Sequence, residues 1–279
     1  MKAISVSRLR EVVVSAAVLL AVGVCSPGRA ALFSDDFEAG SGAWNAAGGW
    51  GATSLDAHSP TRSATDSPGA FYTNNSVSSL TLAVPLDFAA ATAPALRFYH
   101  RYAVEPSYDW AGVEVSVNAG LTWTNLAAYT GTRTTWTREQ IDLKAFAGQP
   151  DVRLRFTLTT DASVVMDGWY VDDVLIGEAP AAPVLTNVAA QGVSAVSLAW
   201  EPSASVSVTA YRVYRSQTAG FDWRDALLIG ETDAGTLTFT DIAAAPKATF
   251  HYRVLAVSEG ALHAESNEGS VTLPPGMDY

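Results

Sequence analysis

Two adjacent carboxylates lie in a segment where an ionised side chain needs a partner. Residues 161–176 read DASVVMDGWYVDDVLI, and Asp172 and Asp173 fall inside its β-forming part. Because strand side chains alternate between faces, this pattern places Asp172 beside Val174 and turns Asp173 the other way, so that one acid points inward. No Lys or Arg occurs in the segment, and a buried carboxylate is costly unless it is paired or binds a metal. With the acidic segment DDFE at 35–38, the sequence predicts a shared cation; the alternative is two solvated acids at a strand end.

The composition limits the classes of protein and partner. The chain has 279 residues, 48% of them hydrophobic and 16% charged, which is enough for two domains with packed cores. Its formal net charge is −11 and its pI is about 4.7. Nucleic acid and anionic lipid need a basic surface, so neither is an expected partner. An acidic exported protein that binds calcium agrees with this charge.

The first thirty residues have the pattern of a signal peptide. Lys2, Arg8 and Arg10 precede an apolar run over 12–24, and small residues precede a cleavage point after Ala30. The run is short for a membrane span, although a retained anchor is an alternative. The only cysteine is Cys25, where lipidation is a second alternative. After removal of 1–30 no cysteine remains, so a disulfide framework is excluded, and the expected location is secreted or at the cell surface.

The mature sequence predicts two β units joined by a linker. Short β-rich runs between Gly, Pro, Asn and Ser clusters indicate an antiparallel sandwich or barrel over 32–178. The alternation in 152–158 places Val152, Leu154, Phe156 and Leu158 toward the core. Paired prolines in 179–183 indicate a stiff linker. Alternating runs then define a second β unit over 184–273.

The second unit resembles a fibronectin type III domain. The resemblance depends on LAW at 198–200, YRVY at 211–214 and FHYRVLAV at 250–257. It implies an immunoglobulin-like β-sandwich in which Trp200 and alternate residues of the late strand fill the core. The tyrosine corner of that family falls on Phe250 here, so its hydroxyl hydrogen bond is expected to be missing.

The first unit resembles the MAM-like, calcium-binding jelly-roll module of immune-inhibitor-type bacterial peptidases. The matching motifs are DDFE at 35–38, DSP at 66–68, LRFYHRY at 96–102 and DGWYVDDV at 167–174. The resemblance implies a jelly-roll β-sandwich with a structural Ca²⁺. Carried over residue by residue, it predicts the metal ligands Asp36, Glu38, Asp66 and Asp172. The hairpin 116–123 also resembles an Asp-box in which Asn118 replaces the acid.

A second candidate site is the aromatic group Tyr108, Asp109 and Trp110, predicted to bind a ligand in an exposed loop. Catalysis has little support, because the four histidines form no HExxH or nucleophile motif; Glu105 and Asp109 as a glycosidase pair is the weakest alternative. We therefore expect a secreted, non-catalytic binding or adhesion protein with a structural calcium site and with carbohydrate or a cell-surface protein as partner. The alternatives are a structural matrix component, or an accessory module of an extracellular hydrolase or peptidase system.

Overall fold

The computed structural model describes residues 31–276, and the chain there is almost entirely β-structure. The predicted signal peptide at 1–30, with Cys25, lies outside the described residues. Within them, no helix has the length and apolar character needed to cross a bilayer. The all-β prediction of a jelly-roll sandwich followed by an immunoglobulin-like sandwich is confirmed. The domain limits at 32–178, 179–183 and 184–273 stay a prediction.

The first sandwich consists of a six-stranded and a five-stranded antiparallel sheet. The six-stranded sheet has the order β3-β4-β11-β6-β9, with β1 paired to β11, and the five-stranded sheet has the order β2-β5-β10-β7-β8. The strands are β1 Phe33–Asp35, β2 Trp44–Ala47, β3 Gly51–Thr53, β4 Ser63–Thr65, β5 Val77–Leu82, β6 Pro94–Ala103, β7 Trp110–Ser116, β8 Thr124–Tyr129, β9 Thr132–Asp142, β10 Arg153–Thr159 and β11 Gly168–Glu178. A 3-10 helix, Lys144–Phe146, follows β9.

The second sandwich has the sheet composition expected of a fibronectin type III domain. A three-stranded sheet has the order β12-β13-β16, and the facing sheet has the order β15-β14-β17-β18, with β19 also paired to β17. The strands are β12 Val184–Gln191, β13 Ala195–Glu201, β14 Val208–Ser216, β15 Leu227–Asp233, β16 Thr238–Asp241, β17 Thr249–Ser258, β18 His263–Glu265 and β19 Gly269–Thr272. Two 3-10 helices are Trp223–Asp225 and Glu259–Ala261.

The cores follow the alternation read from the sequence. Val152, Leu154, Phe156 and Leu158 are all at most 1% exposed, as predicted. In the second sandwich Trp200 is buried against Tyr211. Phe250 is buried and lacks the corner hydroxyl, as predicted. The neighbouring Tyr252 donates a hydrogen bond to Asp241 instead, and Arg215 pairs with the same carboxylate at 2.7 Å.

Strand β11 does not alternate strictly. Its register with β6 shifts between Asp172 and Leu175, and Asp173 adopts a left-handed φ of 48°. Trp169 and Val171 face the core before this bulge, while Val174 and Ile176 face it afterwards. The prediction that Asp172 and Val174 share a face was therefore wrong, because one extra residue reverses the alternation of side chains. Asp172 is buried on the outer side of its sheet, beneath a loop, and not in the sandwich core.

The two sandwiches contact each other through the edge strand β9. Gln140 donates from Nε2 to the carbonyl of His263 at 2.8 Å and accepts from its main-chain N–H at 3.1 Å. Glu139 forms an ion pair with Arg224 at 2.8 Å. Arg138 of β9 lies over the ring of Trp223, with its guanidinium carbon 5.0 Å from the ring centroid. The junction thus combines hydrogen bonds to the main chain, an ion pair and a cation–π contact.

Candidate metal site and exposed aromatic loops

Asp172 binds the main chain of the loop between β3 and β4. Its Oδ2 accepts hydrogen bonds from the N–H groups of His58 at 2.8 Å and Ser59 at 3.1 Å. Its Oδ1 accepts from the N–H of Asp173 at 2.7 Å. The side chain is fully buried, and burial raises its pKa to about 6 despite these donors. The strand acid is therefore held by backbone dipoles and not by a basic side chain.

Glu38 binds the same loop closer to the start of β4. Its Oε1 accepts from the N–H groups of Thr61 and of Arg62, the latter at 2.7 Å, and its Oε2 accepts from the Thr61 hydroxyl at 3.0 Å. The hydrogen bond from Arg62 is the main cause of the lowered pKa of this exposed carboxyl. The early acidic segment and the last strand of the sandwich thus meet around one loop.

The other two predicted ligands lie differently. Asp36 is exposed, and its Oδ1 accepts from the N–H of Glu38 at 3.2 Å. Asp66 is 3% exposed and accepts from the N–H of Trp169 at 2.6 Å, three residues before Asp172 on β11. No three of the four predicted acids converge within 4.8 Å in the described part of the chain. The structure therefore brings Glu38 and Asp172 to one loop and places Asp66 further along the sheet.

The donor chemistry of this loop is compatible with calcium. Glu38 and Asp172 supply hard carboxylate oxygens, and neither forms an ion pair with a basic residue among residues 31–276. A carboxylate oxygen has two lone pairs. The hydrogen bonds above therefore leave one free on Glu38 Oε2 and one on Asp172 Oδ1. These residues would bind an ion with one oxygen each, and carbonyls and water would have to complete its shell.

Asp66 is the acid with an unsatisfied oxygen. Its Oδ2 is buried and has no hydrogen-bond partner. Desolvation raises the pKa of this carboxyl to about 7, and the Trp169 N–H opposes that shift. Gly168 lies against it at φ 94°, and a Cβ at this glycine would lie 2.4 Å from Asp66 Oδ1. The site needs glycine for its backbone conformation and for the space that the carboxylate occupies.

A second group of acids lies at the end of the sandwich where β6, β10 and β4 end. The carboxylates of Glu105, Asp109 and Asp161 have oxygens within 4.8 Å of one another. The sequence predicts Glu105 and Asp109 only as the weakest catalytic alternative, and it predicts no role for Asp161. The loops are separated in sequence, and only the fold brings them together.

The three residues of the predicted aromatic site differ in exposure. Tyr108 is 64% and Trp110 is 41% exposed, whereas Asp109 between them is fully buried. Asp109 accepts from the Tyr72 hydroxyl at 2.6 Å and from the Asp161 N–H at 2.8 Å. It therefore organises the loops from inside and is not available to an external ligand. Two other tryptophans of this sandwich, Trp44 and Trp50, lie in the core.

The hairpin that resembles an Asp-box has the hydrogen bonds of a folding motif. Asn118 Oδ1 accepts from the Ser116 hydroxyl at 2.9 Å and from the Thr122 N–H at 3.0 Å. The Trp123 ring lies 4.0 Å from the Arg155 guanidinium carbon. The ring packs against the sheet, in agreement with a structural role.

Comparison with known proteins finds similarity over most of the first sandwich. Residues 69–189 match the family model described as "Immune inhibitor A-like, MAM domain". Bacillopeptidase F of Bacillus subtilis strain 168 is 29% identical over 162 residues, which are 54% of this chain and 11% of that protein. The pre-pro-metalloprotease PrtV of Vibrio cholerae is 33% identical over 100 residues, 32% of this chain and 11% of that protein. The chain thus spans about a tenth of these relatives.

Solved structures also align with parts of the chain. A Fn3-like protein from Clostridium thermocellum is 26% identical over 37% of this chain and all of its own length, with a TM-score of 0.30. Pectate lyase Pel3 from Pectobacterium carotovorum is 26% identical over 34% of this chain and 27% of its own, with a TM-score of 0.29.

Proposed function

We propose that this chain, whose residues 69–189 match the immune inhibitor A-like MAM family model and which also contains a fibronectin type III sandwich, is a non-catalytic accessory component of an extracellular peptidase system. The observation that carries the proposal is that the chain aligns with about a tenth of each of two peptidases. A unit that recurs in two peptidases of different names is expected to support them without supplying their chemistry.

The arrangement of ionisable groups supports a non-catalytic role. In the described chain, His100 is buried at 1% exposure, and desolvation lowers its pKa to about 3. His251 pairs with Glu268 at 3.0 Å, and His58 pairs with Asp173 at 2.5 Å. Asp109, the acid of the weak glycosidase pair, is buried and hydrogen-bonded through both oxygens. Each of these groups is either buried or held by a hydrogen bond or ion pair within the fold.

A structural calcium ion is part of the proposed function. It would lie at the loop that Glu38 and Asp172 bind, where it would neutralise two carboxylates that have no basic partner among the described residues. The buried Asp172, whose pKa is raised to about 6, would gain most from a cation. An ion there would stabilise the loop between β3 and β4 and with it the edge of the six-stranded sheet.

A domain exchange tests the proposed function. The segment of Bacillopeptidase F that aligns with this chain is replaced by residues 31–178, and secretion and casein hydrolysis are compared with those of the parent and of a deletion. We expect the graft to restore the secretion and casein hydrolysis that the deletion loses. We expect the isolated chain to hydrolyse no casein. A graft that is folded by circular dichroism yet no better than the deletion would contradict the accessory role.

A further inference from the structure

Three loops at one end of the first sandwich form a single hydrogen-bonded frame. They are the β4–β5 loop (66–76), the β6–β7 loop (104–109) and the β10–β11 loop (160–167). The Tyr72 hydroxyl donates to Asp109 Oδ2 at 2.6 Å and accepts from the Glu105 N–H at 3.1 Å. The Asn75 N–H donates to the carbonyl of Asp161 at 2.6 Å. Each loop is thus tied to the other two, and the side chains that they present are fixed in relation to each other.

This frame presents apolar side chains to solvent. Their exposed fractions range from 38% to 68%, a large exposure for side chains of this type. Thr159 pairs with Val77 on one side and Trp110 on the other, so that these residues form one row across three strands. We call the following six side chains the loop-end surface: Phe71, Val77, Tyr108, Trp110, Val164 and Val165.

Acidic groups without a basic partner lie within the same loops. Glu105 and Asp161 are partly exposed, and neither forms an ion pair within residues 31–276. The Ser163 hydroxyl lies 3.0 Å from both Glu105 Oε2 and Asp161 Oδ1, and its one hydrogen can be donated to either oxygen. In the described chain, Glu105 Oε1 and Asp161 Oδ2 accept no hydrogen bond. The loop-end surface therefore combines apolar area with free carboxylate oxygens.

We propose that the loop-end surface binds an extended polypeptide segment in which a Lys or Arg side chain is flanked by apolar residues. The cationic group would bind Glu105 and Asp161 and lie against the rings of Tyr108 and Trp110, while the flanking apolar side chains cover Phe71 and the valines. Aliphatic side chains make up half of the surface and offer no flat face to a sugar ring, which favours polypeptide over carbohydrate. The net charge of −11 adds long-range attraction for a basic partner. This inference is independent of the proposed role in a peptidase system and of the calcium site.

The test measures binding of two fluorescent peptides to the chain that begins at Ala31. One peptide alternates Leu with Lys, and its control alternates Leu with Glu. We expect saturable binding of the Lys peptide alone. The change Trp110→Ala and the double change Glu105→Gln with Asp161→Asn should each weaken it about tenfold or more. Matched controls lie at the opposite end of the sandwich: Leu121→Ser removes a side chain that is 83% exposed, and Asp87→Asn removes an exposed charge. Both should leave the affinity within about twofold.

NMR shift mapping on the unaltered chain keeps the test independent of variant folding. The Lys peptide should shift amide resonances of 66–77, 104–110 and 160–167. Shifts spread over the acidic surface, equal binding of both peptides, or equal weakening by the control changes would overturn the proposal. Glycan-array binding that Trp110→Ala abolishes, without peptide binding, would overturn it in favour of a carbohydrate site.

Discussion

Glu38 and Asp172 bind neighbouring parts of one loop, the first through the N–H groups of Thr61 and Arg62 and the second through those of His58 and Ser59. The two acids come from the chain immediately after β1 and from β11, the first and last strands of the sandwich. Because each carboxylate accepts several main-chain hydrogen bonds, the loop depends on side chains that lie far from it in sequence.

Removal of Asp172 should destabilise the first sandwich strongly. The change Asp172→Ala leaves three N–H groups without their acceptor, and an unsatisfied buried donor costs about 1–3 kcal/mol. Urea unfolding followed by tryptophan fluorescence should show a loss of at least about 2 kcal/mol. The matched control is Asp36→Ala, because this exposed acid accepts one N–H only. Equal losses in the two variants would contradict the role assigned to Asp172.

Calcium should raise the midpoint of thermal unfolding of the chelated protein. Extracellular calcium modules bind with Kd values of about 10⁻⁴ to 10⁻³ M, so millimolar Ca²⁺ adds on the order of 1 kcal/mol. The measurement compares EGTA with added Ca²⁺ in the parent and in Glu38→Gln, which retains a hydrogen-bond acceptor but removes the charge. A midpoint that does not respond to Ca²⁺ in the parent would exclude the metal from this loop.

The sequence predicted those parts of the fold that local alternation determines. The core-facing side chains of β10 were predicted from the strict alternation between Val152 and Leu158. The fold of the second sandwich was predicted from three short motifs. Which side chains of β11 face the core after Asp172 could not be predicted. The bulge at Asp173 depends on the register of this strand with Tyr99 and Arg97 of β6. A left-handed residue there has no signal in the sequence apart from the tolerance of Asp for that conformation.

The candidate sites were predicted only in part, for a related reason. The pairing of Glu38 with Asp172 on one loop agrees with the resemblance, whereas the burial of Asp109 was not foreseen. A residue between two exposed aromatics is expected to be exposed as well. Its burial requires the Tyr72 hydroxyl from another loop, and no local pattern encodes that contact.

The pH dependence of stability should be altered by Asp66→Asn. The pKa of Asp66 rises from 3.8 to about 7 on folding because the carboxyl is buried. The folded state therefore binds the proton more tightly, and the stability linked to it is present below about pH 4 and lost as the pH rises through 7. Without Ca²⁺, we expect the Asn variant to equal the parent near pH 4 and to exceed it at pH 8, by up to about 4 kcal/mol.

Urea titrations at the two pH values measure this difference, with Asp36→Asn as the exposed control. A parent that is more stable than the Asn variant at pH 8 only when Ca²⁺ is present would show that Asp66 binds the ion. If the parent is more stable than the Asn variant at pH 8 in the presence of chelator, the direction assigned to the pKa shift of Asp66 is wrong.

Gly168 should tolerate alanine much less than Gly148 does. Both glycines have a left-handed backbone, with φ of 94° and 83°. Alanine at either position should therefore lower the free energy of unfolding by about 1–2 kcal/mol through backbone strain. Only at Gly168 would a Cβ lie within 4 Å of other atoms, at 2.4 Å from Asp66 Oδ1 and 2.8 Å from Ser67 Oγ. We therefore expect Gly168→Ala to unfold at clearly lower urea concentration than Gly148→Ala. Similar midpoints would mean that the Asp66 side chain moves away at little cost.

Gln140→Ala should uncouple the two sandwiches. The side chain of Gln140 exchanges two hydrogen bonds with the main chain of His263, and removing it leaves buried polar groups of the second sandwich unpaired. His263 is buried at 6% exposure, and desolvation lowers its pKa to about 3, so it packs as a neutral ring against Trp223.

Scanning calorimetry should show one cooperative transition for the parent and two for Gln140→Ala. The control Gln191→Ala, which removes a surface hydrogen bond to Ser197 within the second sandwich, should retain a single transition. Two transitions already present in the parent would show that the junction does not couple the domains.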